Sequence, residues 1–243
     1  MLLFLSVGAD AQGVIIYKKS GTPIKVPFAE LDSISTYDSG DEPPIENGHE
    51  YVDLGLPSGL LWATCNVGAE NPEDYGDYFA WGETETKDMY NWSTYKWCKG
   101  SNTTMTKYCK SSSYGTVDNK TVLEPENDAA HVQWGGKWRM PTYDELDELK
   151  TQCTWTWTQL NGVNGYKVSS KQQGNTNYLF LPAAGYRDDS GLSGVGSYGD
   201  YWSSSLNTSY SDNAYGVFFN SSRVDRLSDS RYCGLSVRPV CAE

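Results

Sequence analysis

From Tyr51 onward the sequence runs as short, glycine-rich, strand-like segments interrupted by only two helix signals, which confines it to folds with little helix. The first helix signal begins at Asn127 and Asp128, whose side-chain oxygens can cap exposed backbone N–H groups. It continues through Ala129 to Trp134 until Gly135 and Gly136 stop it. The second is sharper: Thr142-x-x-Glu145 after Pro141 has the form of a capping box, and Leu146 with Leu149 makes an apolar stripe. Downstream, Tyr178 to Pro182, Tyr215 to Asn220 and Leu235 to Val240 read as short strands separated by Ser, Asn, Gly and Asp loops. The expectation is an α+β domain with two short helices, short antiparallel strands and long ordered loops.

Ahead of this domain, Val14 to Tyr17 and Ile24 to Phe28 flank a turn-prone Lys19-Ser20-Gly21-Thr22, so residues 12–37 are expected to carry a small β-hairpin. Two strands alone are marginal in water and need something to dock on. The polar Pro, Gly and acidic stretch at 38–48 reads as a linker, which places the larger domain at 49–243. At the start, the apolar Met1 to Val7 followed by Ala9-Asp10-Ala11 has the form of a signal-peptidase site. Residues 1–11 are therefore expected to be the truncated remnant of a signal peptide whose start lies upstream, with export as the consequence.

With 31 acidic against 19 basic residues the formal charge is −12, which repels phosphate backbones and anionic lipid and disfavours nucleic-acid or membrane-surface binding. No apolar run is long enough to span a bilayer. The six cysteines, Cys65, Cys98, Cys109, Cys153, Cys233 and Cys241, fit an oxidising compartment, but no C-x-x-C spacing suggests zinc. An enzyme reading has little support, because the only histidines, His49 and His131, sit in no nucleophile, metal or phosphate motif. No cofactor is implied.

Five ordered motifs carry a family resemblance. They are Tyr51-Val52-Asp53-Leu54-Gly55-Leu56-Pro57-Ser58-Gly59-Leu60-Leu61-Trp62-Ala63-Thr64-Cys65, Trp138-Arg139-Met140-Pro141-Thr142, Leu181-Pro182-Ala183-Ala184-Gly185-Tyr186-Arg187, Tyr201-Trp202-Ser203-Ser204-Ser205 and Gly234-Leu235-Ser236-Val237-Arg238-Pro239-Val240. Across residues 50–241 the chain resembles the Fibrobacter succinogenes major paralogous domain family. The resemblance implies a C-type-lectin-like domain, related to the formylglycine-generating-enzyme fold, exported to the cell surface or beyond. Similar domains serve as adhesins, pilus-associated proteins and the variable proteins of diversity-generating retroelements. The segment Glu30-Leu31-Asp32-Ser33-Ile34 resembles an element that often precedes such domains. Because Cys65 and Cys241 adjoin motifs at the two ends of the domain, a disulfide between them is expected, with Cys98 and Cys109 as a weaker second pair.

The candidate sites divide unevenly. Glu124-Pro125-Glu126-Asn127-Asp128 is similar to the calcium and sugar motif of animal C-type lectins, but its acids more simply cap the first helix. Trp62, Trp81, Trp134, Trp138 and Trp202 are better placed as core anchors than as sugar platforms, and Arg139, Arg187 and Arg238 as guanidinium groups satisfying loop carbonyls. The C-terminal third is different. It lacks lysine after Lys171, and Tyr, Ser, Asn, Asp and Arg dominate Tyr201 to Tyr232, the composition of a paratope. Period-2 alternation sets Tyr215, Val217 and Phe219 on one side of a strand and Gly216 with Phe218 on the other. The family-like pattern implies that Val217 and Phe219 are buried. Phe218 then projects outward beside loops carrying Tyr210, Asp212, Asp225, Leu227, Asp229 and Tyr232, with Cys233 as a free thiol in the same set.

The function expected is recognition of a protein or glycan on another cell or phage surface. The alternatives are a structural subunit of a surface appendage and a calcium-dependent lectin.

Overall fold

The structure is a computed structural model that describes residues 13–16, 24–27 and 43–242. The chain forms two compact units, one ending at Glu42 and the other beginning at Pro43. In the first, β1 (Gly13–Ile16) pairs antiparallel with β2 (Ile24–Pro27), so the expected hairpin is present. Its turn, the signal-peptide remnant at 1–11 and the Glu30 to Ile34 element lie outside the described residues.

In chain order the second unit contains β3 (Ile45–Glu46), β4 (His49–Asp53), β5 (Leu61–Ala63), α1 (Ala129–Trp134), α2 (Tyr143–Gln152), β6 (Cys153–Leu160), β7 (Val163–Ser170), β8 (Tyr178–Pro182), β9 (Tyr186–Asp188), β10 (Gly191–Ser193), β11 (Tyr198–Leu206), β12 (Asn213–Asn220), β13 (Arg223–Ser230) and β14 (Val240–Cys241). Two short helices among many strands make this an α+β, mainly β, unit.

The linker expected at 38–48 is too long at its C-terminal end. Ile45 and Glu46 pair with Glu50 and His49 around Asn47 and Gly48, because Asn-Gly between two strand-forming runs is a hairpin turn. Trp138 Nε1 donates to the Glu46 carbonyl at 2.8 Å, and the His49 ring stacks on Trp134 at 3.7 Å, which ties the hairpin to the domain.

Both helices begin where their caps require. Asp128 accepts from His131 N at the start of α1, and the Gly135 N–H closes its end on His131 O. Thr142 and Glu145 form the capping box of α2. Glu145 also takes a bidentate contact from Arg139, at 2.7 Å to each nitrogen. The Leu235 to Val240 run, expected as one strand, instead pairs a residue at a time, Leu235 with Phe79 and Ser236 with Tyr201, before Val240 joins β14. It is buried throughout and wedged between loops, which supply isolated partners rather than a continuous edge.

The sheet β11-β12-β13 sits at the centre and has core on both sides. One face contributes Trp202, Leu206 and Ala214 to a cluster with Phe79, Trp81, Trp138, Leu235 and Val237. The opposite face contributes Tyr201, Val217 and Phe219 to a second cluster with Leu146 and Leu149 of α2 and Tyr166, Val168, Leu179 and Leu181 of the β6-β7-β8 sheet.

Between Thr64 and Glu124 no α-helix or multi-residue strand forms, yet this stretch is anchored by rings that carry both apolar area and a donor. Trp81 Nε1 donates to Ser203 O at 2.8 Å, Trp202 Nε1 to Phe79 O at 2.9 Å, Tyr78 to Ala184 O at 2.6 Å and Tyr95 to Trp81 O at 2.7 Å. Each bond satisfies a backbone carbonyl that burial would otherwise strand.

Candidate functional site

The register of the central sheet decides which side chains share a surface. Asp200, Phe218 and Asp225 lie directly opposite one another on β11, β12 and β13; Trp202, Gly216 and Leu227 form the next row, and Leu206, Ala214 and Asp229 the last. Period-2 alternation puts these rows on one face. Five residues singled out by sequence, Gly216, Phe218, Asp225, Leu227 and Asp229, therefore stand on a single surface, although three of them were expected on loops. Arg223 to Ser230 is a strand, and its charged, weakly alternating sequence suits the edge position it occupies.

Val217 and Phe219 are buried, as the family-like pattern implied. Phe218 is half-buried rather than free in solvent, since its ring lies 5.7 Å from that of Tyr198 and the Arg223 guanidinium sits 5.2 Å above it. Tyr198 itself is 41% exposed. Gly216 cannot be a ligand contact. It is buried, and a Cβ built there would lie 2.1 Å from the Tyr201 carbonyl oxygen, so the glycine is required by close approach of two backbones.

The remaining predicted residues flank the sheet. Tyr210, 58% exposed, stands on the β11–β12 connection, where Asp212 accepts from Asn102 at 3.0 Å. Tyr232 is half-buried against Trp92, with ring centroids 4.8 Å apart. Cys233 is a free thiol, but a buried one whose Sγ lies 3.9 Å from Asp229 Oδ1. It is part of the floor, not of the rim.

Asp229 and Asp200 stand on this face, and a third acid, Asp188, lies on β9. Asp188 is exposed, Asp229 half-buried and Asp200 only 4% exposed. None of them makes an ion pair among the described residues. Asp229 Oδ1 accepts from Ser230 N at 2.7 Å, whereas Asp200 Oδ2 is buried without a partner. Burial, and then the charge of Asp229, raise the Asp200 carboxyl from its ordinary value to about 7. Asp229 is also raised, by burial first and by Asp188 as well. Burial and the neighbouring Asp229 and Asp188 push the Cys233 thiol up in the same way. Burial, and then the charges of Asp188, Asp200 and Asp229, raise the Tyr186 phenol.

Sequence reasoning missed Tyr186, Asp188, Tyr198 and Asp200. A signal existed for Asp200, an acid alternating with Tyr198 and Trp202 in a strand-like run, but nothing local marked it as buried.

The other candidates resolve into packing. Trp62, Trp81, Trp134, Trp138 and Trp202 are all buried. Arg238 is fully buried and donates to Asn66 Oδ1 and to the carbonyls of Ala63, Thr64 and Phe180, the carbonyl-satisfying role expected of it. Arg139 is engaged chiefly by Glu145, and Arg187 packs over the Tyr78 ring at 5.3 Å. Glu124 is held by Lys107 and Lys120, which lower its carboxyl to about 2. Asn127 accepts from Lys107 and from Tyr108 at 2.7 Å, so the lectin-like segment spends its oxygens on protein donors. His131 Nδ1 lies 3.1 Å from Trp138 O.

The expected disulfides are absent: all six cysteines are free. Cys241 stands opposite Leu61, which leaves Cys65 four residues along the strand direction, about 13 Å away and beyond bridging reach. Cys65 Sγ points instead to Glu70 O at 3.6 Å. Cys98 Sγ is directed to Trp92 O and Cys109 Sγ to Ser111 O, both at 3.1 Å.

Two open clefts lie elsewhere. One of about 470 Å³ is lined by His49, Cys65, Glu70 and Trp134, the other, of about 370 Å³, by Asp77, Tyr78, Lys87 and Arg187. Burial raises the Cys65 thiol, which disfavours a thiolate nucleophile in the first. Among the described residues no three His, Cys, Asp or Glu side chains converge to hold a metal ion, and no helix is long and apolar enough to cross a membrane.

No family model, no curated protein and no solved structure matches this chain.

Proposed function

We propose that this chain is an exported, non-catalytic binding module of C-type-lectin-like fold, similar to the Fibrobacter succinogenes major paralogous domains. In this reading it recognises a protein or glycan on another cell or phage surface through the end of the β11-β12-β13 sheet that carries Tyr198, Phe218 and Asp225, beyond the rows buried by Trp202, Leu206 and Ala214. The single observation that supports it is the shared face: Phe218, Asp225, Leu227 and Asp229 lie together on one sheet surface with the exposed Tyr198 ring and an unpartnered, buried Asp200. Aromatic area on rigid strands beside small polar and acidic groups is the make-up of a recognition surface. A surface serving only solubility would have no reason to keep an unsatisfied carboxylate beneath it.

The test is selection from a random peptide display library and a glycan array on the full chain, repeated on a Tyr198→Ser/Phe218→Ser double variant. Binders should be recovered on the natural sequence and lost on the variant, while circular dichroism stays unchanged. Binders retained equally by both proteins would move recognition off this face.

A further inference from the structure

We propose that the cleft of about 370 Å³ lined by Tyr78, Tyr90 and Arg187 binds a small carboxylate whose other groups are hydrogen-bond donors, as in an acidic sugar or a free amino acid, with Arg187 taking the carboxylate and Asp77 and Asp88 the donors. The cleft shares no residue with the end of the central sheet that carries Tyr198, Phe218 and Asp225, so it is a second site and stands or falls apart from that face.

The observation that carries it is an open guanidinium in a cleft whose other strong donors are spent. Arg139, Arg187, Arg231 and Arg238 are the buried or half-buried arginines among the described residues. Arg139 is paired with Glu145, while Arg231 and Arg238 donate to carbonyls. The Arg187 guanidinium has neither an ion pair nor a hydrogen bond to a described residue, so it does not fill the carbonyl-satisfying role expected of it. Its backbone is fixed all the same: Arg187 N–H donates to Gly234 O at 2.8 Å, and Gly234 N–H returns the bond at 3.0 Å. The charge sits 5.3 Å over the Tyr78 ring. Around it, Tyr78 donates to Ala184 O and Tyr90 to Tyr78 O, both at 2.6 Å, and Lys87 Nζ is held by Glu83 at 2.9 Å and by Thr94 O at 3.3 Å. The fork of Arg187 is thus what the cleft has left to offer an anion.

The charges lining the cleft set the ligand class. Glu83 neutralises Lys87, which leaves Arg187 as the unmatched cation in a cleft that also carries the exposed Asp77 and Asp88. One cation beside two acids tolerates a monoanion and repels a phosphate dianion. The planar fork of the guanidinium fits a carboxylate in bidentate contact. Both aspartates accept hydrogen bonds and donate none, so the rest of the ligand must bring hydroxyl or ammonium donors. An aliphatic acid has none to bring. The chain's net charge of −12 opposes the approach of polyanions, which confines the ligand to a single small acid. A volume of about 370 Å³ lies in the range of small-molecule sites.

The experiment titrates the ¹⁵N-labelled full chain with methyl glucuronoside, serine, the neutral methyl glucoside, acetate and glucose 6-phosphate. The expected result is saturable amide shifts at Tyr78, Thr86 and Arg187 with methyl glucuronoside or serine, and the tighter of the two names the source of the carboxylate. Methyl glucoside and acetate should each bind about tenfold more weakly than that ligand. Arg187→Gln should lose about tenfold, and Arg187→Lys should recover only part, because an ammonium has no fork. Thr86→Glu, at an exposed position on the cleft wall, sets a competing carboxylate in the cleft and should weaken binding to a similar degree without burdening the fold. The proposal is overturned if neither carboxylate saturates, if methyl glucoside binds as well as methyl glucuronoside, or if Thr86→Glu or a folded Arg187→Gln binds as the natural chain does. Acetate binding as tightly as the better ligand would overturn the part given to Asp77 and Asp88, and glucose 6-phosphate binding more tightly would overturn the carboxylate. The Tyr198→Ser/Phe218→Ser double variant should bind unchanged; loss of binding there would overturn the placing of the ligand in this cleft.

Discussion

Arg231 Nε donates to the Tyr95 hydroxyl at 2.8 Å, joining the end of β13 to a loop 136 residues earlier in the chain. The guanidinium is fully buried and also donates to the carbonyls of Tyr108, Ser211 and Lys107. No carboxylate is paired with it among the described residues; the faces of Trp81 and Tyr95, at 4.9 and 5.2 Å, and the carbonyl dipoles stabilise the charge.

Arg231→Met should therefore strand three carbonyls and a phenol, and lower stability by about 3 kcal/mol or more. Arg231→Lys should recover little, since an ammonium cannot serve carbonyls spread around a planar fork. Urea denaturation monitored by tryptophan fluorescence reads both; a midpoint unchanged in Arg231→Met would show that the cage contributes nothing.

Phe218 and Phe219 are adjacent in sequence and opposite in environment. Phe219→Ser should cost about 3 to 5 kcal/mol, because the ring meets Tyr166 at 5.3 Å and Tyr201 at 5.8 Å in the core. Phe218→Ser should cost about 1 kcal/mol, the loss of a half-buried ring beside Tyr198 and Arg223. Thermal midpoints of the two variants check the ordering.

Asp200 makes a signed prediction about pH. Its folded value of about 7 lies above its ordinary value, so the folded chain holds a proton that the unfolded chain has released near pH 4. Its contribution to stability thus falls as pH rises from about 4 to about 7. The groups coupled to this cluster are Asp229 and Asp188, with Tyr186 and Cys233, while Asp225, opposite Phe218 on the next strand, is paired with Arg223. Asp200→Asn should match the natural chain near pH 4 and exceed it at pH 8 by about 1 to 4 kcal/mol. A variant less stable at pH 8 would mean that the carboxylate has a stabilising partner in solution.

Thr142→Ala should cost about 0.5 to 2 kcal/mol by removing one half of the capping box. Burial alone would raise the Glu145 carboxyl, but the Arg139 guanidinium and the Thr142 N–H hold it below its ordinary value. The stabilisation from Glu145 is therefore present above its unfolded value and lost as pH falls through the folded one. Urea midpoints between pH 3 and 6 should show a shallower acid limb for Glu145→Gln.

The thiols give the simplest check. Peptide mapping after alkylation in denaturant without reductant should find all six cysteines modified. In the native state Cys65 and Cys98 should react before the four buried ones. A Cys65–Cys241 peptide would require the β5–β14 register to shift.

The helix ends, the β1–β2 hairpin and the placing of Val217 and Phe219 on one side of their strand were determined by the sequence itself, because each depends on contacts within a few residues or on a period-2 repeat; that this side is the inward one was what the family resemblance implied. Two further hairpins had equally local signals that the sequence reading passed over. Trp155 and Trp157 alternate with threonines ahead of Asn161-Gly162, and that turn pairs β6 with β7; Asn47-Gly48 does the same for β3 and β4. Resemblance to a family suggested the Cys65–Cys241 bridge, and strand register removed it. Only the tertiary structure decided that Gly216 is pinned by Tyr201, that Arg231 is caged by the carbonyls of Lys107, Tyr108 and Ser211, and that Asp200 and Asp229 share one face of the sheet. The physical reason is that these relationships join segments distant in sequence through backbone approach and burial. Neither leaves a periodic trace in the chain, so a glycine, an arginine and two aspartates read as ordinary polar-loop composition until the strands are paired.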